Sequence, residues 1–313
     1  PAWFARQCRA CRNLGPVQVT ILSVAGLLLL TSLLNALTPP WDYDGLMYHL
    51  PGPQLFLAAG RVLLLPDIWQ ANGPLTVEML FTIGLAWGSD VFAKLIHLTY
   101  GVCFVLGTFA FGRRFLGRME AWTAVFLLFG VPILPMLSAS AYIDLAWAAY
   151  EFLGLYALVQ WQEEHERRWL LLGGLMMGWA LGSKYLALGG LGTLGLWVLW
   201  QERRAGWKEV LTSGAILGLS AALVASPWYI KNWLLSGNPI YPFVFGGPGW
   251  SSERRKLLME YLDSFGVGRS LLDYLLLPWN LYAQNRAFGT ISALFDVPGL
   301  LLQHLDARDR VHG

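Results

Sequence analysis

Ten residues, Trp41-Asp42-Tyr43-Asp44-Gly45-Leu46-Met47-Tyr48-His49-Leu50, bring two carboxylates, two phenols and an imidazole into one short stretch. All of these groups can accept or share protons. The run before them, Val17–Leu37, has 21 residues and no charge. That is long enough to cross a hydrocarbon core about 30 Å thick, which places the stretch at a membrane–water boundary. A plain solvated loop could carry the same residue types, so the question is what else reaches that boundary.

Asp144, in Ser138-Ala139-Ser140-Ala141-Tyr142-Ile143-Asp144-Leu145, opens another apolar run. Ionisable groups near membrane depth are costly and tend to face polar cavities. A first-turn acid that merely favours a helix dipole is the competing and compatible reading. Lys184, in Gly182-Ser183-Lys184-Tyr185, is a lone cation between apolar segments. It either snorkels to headgroups or meets an anionic lipid group in a cavity, with its Gly and Ser neighbours leaving room for a bulky ligand. Glu151 lies on nearly the same helix face as Asp144 and about 10 Å deeper, where it could pair with a buried cation. Lys231, in Pro227-Trp228-Tyr229-Ile230-Lys231-Asn232, is either an interfacial anchor or a second phosphate contact. His49 has no His or Cys at ligand spacing, so a metal site would need scattered carboxylates. Cys8-x-x-Cys11 has no second ligand pair, and Cys103 stands apart. No Walker loop, dinucleotide fingerprint or serine-hydrolase elbow is present, which argues against a soluble nucleotide held in a Gly-rich loop.

The elements that position these residues follow from composition. The 313 residues are 56% hydrophobic and 13% charged, with mean hydropathy +0.48. Soluble domains carry about 25% charged residues, so the chain reads as an all-α, polytopic membrane protein. The 16 Trp residues suit membrane interfaces. A net charge of +2 does not suggest nucleic acid as a partner.

Apolar runs predict about seven spans: Val17–Leu37, Val91–Phe111, Ala121–Leu137, Ile143–Trp161, Trp169–Gly182, Leu186–Trp200 and Val210–Trp228. The basic clusters Arg6/Arg9/Arg12, Arg113/Arg114/Arg118, Arg167/Arg168 and Arg203/Arg204/Lys208 mark the cytoplasmic side. All four share one side only if Pro39–Asp90 is a long outer loop that does not span. Gly52–Ala59, ending near Arg61, and Pro74–Gly88, which carries Glu78, are then short interfacial or re-entrant helices. Trp169–Trp200 is too long for one span and divides near Gly182-Ser183-Lys184-Tyr185. Pro227 closes the seventh span. This topology gives a cytoplasmic segment 1–16, a transmembrane core 17–235 and an outer segment 236–313. Asp42/Asp44, Asp144 and Lys184 then converge on the outer face of a multi-pass cell-membrane protein.

An acidic motif in the first outer loop, a second Asp at the top of the fourth span and a short lysine-bearing hairpin resemble the GT-C glycosyltransferases. This superfamily includes the protein mannosyltransferases and the lipid A aminoarabinose transferase, and uses polyprenyl- or dolichyl-phosphate sugars. Asp44-x-x-x-Tyr48-His49-Leu50, Tyr142-Ile143-Asp144, Gly182-Ser183-Lys184-Tyr185 and Pro227-Trp228-Tyr229-Ile230-Lys231-Asn232…Gly237-Asn238-Pro239 are similar to patterns in its largely uncharacterised prokaryotic branch. The likeness covers roughly residues 17–245.

The resemblance implies sugar transfer from a polyprenyl-phosphate carrier to a lipid, glycan or protein acceptor, with inversion. It puts Asp44 in the place of the first-loop acid, with Asp42 as runner-up, and Asp144 in that of the second. Lys184 takes the place of the lysine that meets the lipid phosphate; Lys231 and Arg61 are further candidates for phosphate contact on their charge alone. Tyr48, His49 and Tyr185 are expected to line the substrate cavity. Asp44 would accept the nucleophile's proton; Asp144 would orient the acceptor, support Asp44 or help to hold a divalent cation. Gly45 stands where many relatives have a second acid. The start without Met and the polar end Gln303–Gly313 suggest a truncated chain. The competing classes are a transporter or flippase, for which no internal repeat speaks, and a partner subunit without catalysis.

Overall fold

The uncharged run after Gly15 forms α1 (Pro16–Ala36), with Pro16 in the first turn, where its missing N–H costs nothing. The computed structural model describes residues 15–280 except 130, 132 and 278; the Cys8/Cys11 pair, the first basic cluster and the Gln303–Gly313 end lie outside them. Contacts divide the chain into two units, Pro1–Gly249 and Trp250–Gly313. All regular structure among the described residues is helical.

In the first unit, a π-helical turn (Gly45–His49) leads into α2 (Pro51–Ala59), a 3-10 turn (Trp69–Asn72) and α3 (Thr76–Ala86). Then come α4 (Val91–Phe115), α5 (Arg118–Phe129), α6 (Ile133–Ser138), α7 (Asp144–Glu164), α8 (Arg167–Leu181), α9 (Ala187–Glu202) and α10 (Trp207–Ser236). The second unit holds α11 (Ser252–Asp263), capped by Ser251 Oγ accepting from Arg254 N–H, and α12 (Leu271–Leu275).

Among the described residues three helices, α1, α4 and α10, are long and apolar enough to cross a membrane. Their outward faces carry bare leucines such as Leu27, Leu106 and Leu219, which suits a hydrocarbon surround. The other expected spans are shorter, broken or less apolar. Ala121–Leu137 is broken into α5 and α6, at a sequence, Gly130-Val131-Pro132, that resists continuous helix. Trp169–Trp200 divides into α8 and α9 at Gly182–Leu186. α3 has 11 residues and covers about 16 Å, roughly half a hydrocarbon core.

The expected helix end at Pro227 is corrected: α10 continues through it to Ser236. Proline removes the N–H that would bond the carbonyl of Leu223, and Ser226 Oγ donates to that same carbonyl at 2.9 Å. A freed backbone group satisfied by a neighbouring side chain is what allows proline inside a membrane helix.

Close helix contact centres on α8. A Cβ at Gly174 would lie 1.8 Å from Ser220 Oγ, and one at Gly178 would lie 2.6 Å from Val224 Cβ and 2.7 Å from the Ala221 carbonyl. Small residues at four-residue spacing thus bring α8 against α10, as in membrane helix pairs. Between the helices and the first loop, Leu50, Val77, Phe81, Ala93, Ala141, Ile143 and Ala146 form one buried cluster. It ties the first loop, α3, α4 and the start of α7 together.

Candidate active site

The first-loop acids occupy different environments. Asp42 is buried, and its Oδ1 accepts from Gly45 N–H at 2.9 Å. A Cβ at Gly45 would sit 2.0 Å from that oxygen. Gly45, with no Cβ, is therefore what lets Asp42 close the turn. Asp44 is half-buried at the head of the π turn, a geometry frequent at functional sites. One turn on, Tyr48 hydrogen-bonds Asp44. Burial raises the Tyr48 phenol pKa, and the Asp44 charge and hydrogen bond add to the shift. Tyr142 is pushed up to about 12 by burial, with the Asp44, Asp42 and Asp144 charges adding. Both phenols stay neutral at physiological pH, so Tyr48 keeps the proton it offers to Asp44.

His49 lies beneath this turn. Its Nδ1–H donates to Glu78 Oε1 at 2.9 Å, with both side chains almost wholly buried, at 5% and 3% exposure. The imidazole packs between Tyr48 and Tyr142, with centroids at 4.2 and 5.7 Å. His49, expected to line the substrate cavity, is thus buried against the two tyrosines and bonded to Glu78.

Asp144 is the first residue of α7, and Ile143 before it gives no side-chain cap. The cap comes from α4: His97, fully buried, accepts from Leu145 N–H at 2.9 Å through Nε2. Its Nδ1–H donates to the Ser140 carbonyl at 3.1 Å. Lys184, on the turn between α8 and α9, brings Nζ to 2.8 Å from Asp144 Oδ1 and 5.1 Å from the Trp147 ring centroid. The pair is about one-third exposed, 35% for Lys184 and 30% for Asp144. A groove of about 320 Å³ contains Asp144 and Glu151, with Phe104, Leu128, Leu137 and Trp147 among its apolar walls. Glu151 packs against Gly190 and makes no ion pair among the described residues. The sequence-level suggestion of a buried cation partner for it is not met.

α3 joins these segments. Glu78 holds the first loop, and Thr76 N–H donates to the Gly182 carbonyl at 2.9 Å, two residues before Lys184. Thr76 Oγ1 accepts from Trp228 Nε1 at 2.7 Å. Lys231 Nζ donates to the Asn72 and Gly73 carbonyls at 2.8 and 3.4 Å, so it steadies the entry to α3. Tyr185 OH donates to the Tyr241 carbonyl at 3.2 Å and accepts from Asn232 Nδ2 at 2.6 Å; it is a pillar for the 237–249 turn segment. Arg61 is exposed beyond α2 and forms no ion pair among the described residues. Of the sequence candidates, Asp144 and Lys184 meet directly, Asp44 and Tyr48 meet on the π turn, and Asp42, His49, Lys231 and Tyr185 bond other partners.

Among the described residues no three His, Cys, Asp or Glu side chains are grouped to hold a metal ion. Sequence reasoning missed Glu78 and His97, which bond the first loop and the start of α7. The available signal was their ionisable character within apolar helices, a cost that needs a return.

Residues 74–230, half of the chain, match the dolichyl-phosphate-mannose-protein mannosyltransferase family. The chain belongs to that family. The mannosyltransferase-family match makes it a membrane glycosyltransferase of the GT-C type, consistent with its three membrane-length helices. The matched interval contains Glu78, Lys94, His97, Asp144 and Lys184, and begins beyond Asp42 and Asp44. No curated protein and no solved structure matches.

Proposed function

We propose that this protein transfers a sugar from a polyprenyl-phosphate carrier to a lipid, glycan or protein acceptor at the outer membrane face. The Asp144–Lys184 pair at 2.8 Å, joined through α3 to the turn that carries Asp44, is the observation that supports this reading best. Lys184 has three N–H donors and gives one to Asp144; the others serve the phosphate of the donor. The apolar groove beside Asp144 suits the first isoprene units.

In this reaction an acceptor hydroxyl or amine attacks the anomeric carbon as the bond to the phosphate oxygen breaks. The proton goes to Asp44, whose carboxylate is held by Tyr48, a contribution of about 10²–10⁴-fold in rate. The electron pair leaves with the polyprenyl phosphate, whose growing charge Lys184 stabilises without a general acid. Asp144 holds Lys184 and orients the acceptor. A single displacement gives inversion.

The test offers the full chain, reconstituted in lipid bilayers, synthetic polyprenyl-phosphate mannose and other polyprenyl-phosphate hexoses. Mass spectrometry follows free polyprenyl phosphate and the glycosylated acceptor. Product from the wild type and its loss in Asp44→Asn are expected. Every donor remaining intact with the wild type, or equal turnover by Asp44→Asn, would overturn the assignment.

A further inference from the structure

We infer that Lys94 and His97 are positioning residues that together set the separation of Asp44 from Asp144, an inference that rests on the transfer reading above for its catalytic consequence. They lie three residues apart on one face of α4 and are both fully buried. Lys94 Nζ donates to the Asn35 carbonyl at 2.7 Å, the Thr38 carbonyl at 2.9 Å and Thr38 Oγ1 at 3.2 Å. An ammonium inside an apolar helix is expensive unless all its donors are used, and here three oxygens at the end of α1 use them.

Thr38 leads through Pro39, Pro40 and Trp41 to Asp42. Two consecutive prolines fix φ and make that connector stiff, so an anchor at Thr38 is transmitted to Asp42. Asp42 in turn closes the π turn headed by Asp44. His97 acts at the other end. Its two nitrogens bond Ser140 and Leu145, and so bracket the stretch that contains Tyr142 and Asp144. Along α4 the two anchors are about 4.5 Å apart in rise. One rigid helix therefore holds both acid-bearing segments, and neither Lys94 nor His97 needs to touch the substrate.

The experiment measures hydrogen–deuterium exchange and steady-state kinetics on the full chain in bilayers. The variants are Lys94→Met, Thr38→Val, His97→Leu and His97→Gln. Lys94→Met should raise exchange across residues 36–46 and leave 140–147 unchanged, while His97→Leu should do the reverse. Each should lower kcat by about 10- to 100-fold, the size of a misplacement near 1 Å, with KM for the lipid donor changed less than about threefold. His97→Gln, whose amide oxygen still reaches Leu145 N–H, should recover most of the loss. If Lys94→Met raises exchange everywhere, the milder Thr38→Val, which removes one of its three partners, decides between local and global effects. Unchanged exchange at both segments, or KM rising in step with the fall in kcat, overturns the inference. A wild type that transfers nothing defeats the glycosyltransferase reading alone, because the exchange pattern still tests the clamp.

Discussion

Lys184 Nζ and Asp144 Oδ1 meet at 2.8 Å across forty residues of sequence, at a point where both side chains remain about one-third exposed. A partly exposed ion pair of this kind contributes little to stability, about 0–1 kcal/mol. Asp144 lines an apolar groove and Lys184 Nζ sits 5.1 Å from the Trp147 ring centroid, so under the function proposed above the pair serves recognition of the donor.

Lys184→Met should raise KM for a polyprenyl-phosphate donor by roughly 10- to 100-fold, the size of one charge-assisted hydrogen bond. Asp144→Asn should raise it too, because the carboxylate holds the ammonium in place. The double variant should bind donor no worse than Lys184→Met alone. Multiplicative losses in donor-titration kinetics would mean that the two residues act separately.

Asp44→Asn should cut turnover by about 10²-fold or more while donor binding survives. Asp42→Asn retains an oxygen for Gly45 N–H and should be milder, whereas Asp42→Ala removes the turn closure at a cost of about 0.5–2 kcal/mol. Initial rates and thermal midpoints for the three variants separate the roles. Full activity in Asp44→Asn with none in Asp42→Asn would exchange the two assignments.

Glu78→Leu should strand His49 in the core. Leaving a buried donor without its acceptor costs about 1–3 kcal/mol, and thermal unfolding in detergent should show it. Glu78→Gln keeps an acceptor for His49 Nδ1–H and should cost much less. Equal midpoints for Glu78→Leu and wild type would show that the pair supports nothing.

Gly178→Ala should lower the thermal midpoint, because the added Cβ meets Val224 Cβ at 2.6 Å and the Ala221 carbonyl at 2.7 Å. Overpacking of this kind costs about 1–3 kcal/mol. Gly192, with nothing within 4 Å of its Cβ position, is the control: Gly192→Ala should be neutral. The reverse order of midpoints would place the α8–α10 contact elsewhere.

An outer-face site requires Tyr43→Cys to react with a membrane-impermeant maleimide from outside. Leu116→Cys, after the basic end of α4, should react only once the membrane is opened. Tyr43 and Leu116 are both exposed, so accessibility within the protein does not confound the comparison. Outside labelling at Leu116 would mean that α3 or α4 crosses in the opposite sense.

The membrane class, the helices and the acid-bearing loop were legible in the sequence, because each depends on local composition and on apolar runs of membrane length. So was the break between α8 and α9 at Gly182–Leu186, since one helix from Trp169 to Trp200 would overrun the bilayer. Pro227 misled, because its cost depends on whether a neighbour satisfies the Leu223 carbonyl, and Ser226 does. Only the tertiary structure decided which charges meet. Lys184 finds Asp144, His49 finds Glu78, and Lys94 and His97 reach the ends of α1 and α7. Those partners lie 29 to 59 residues apart in sequence. Their encounter is set by helix crossings that glycine contacts and the buried cluster around Phe81 impose, and no local pattern encodes a crossing. Glu78 is the clearest case. In the sequence it is a charge that spoils an apolar run; in the fold it ties the first loop to α3.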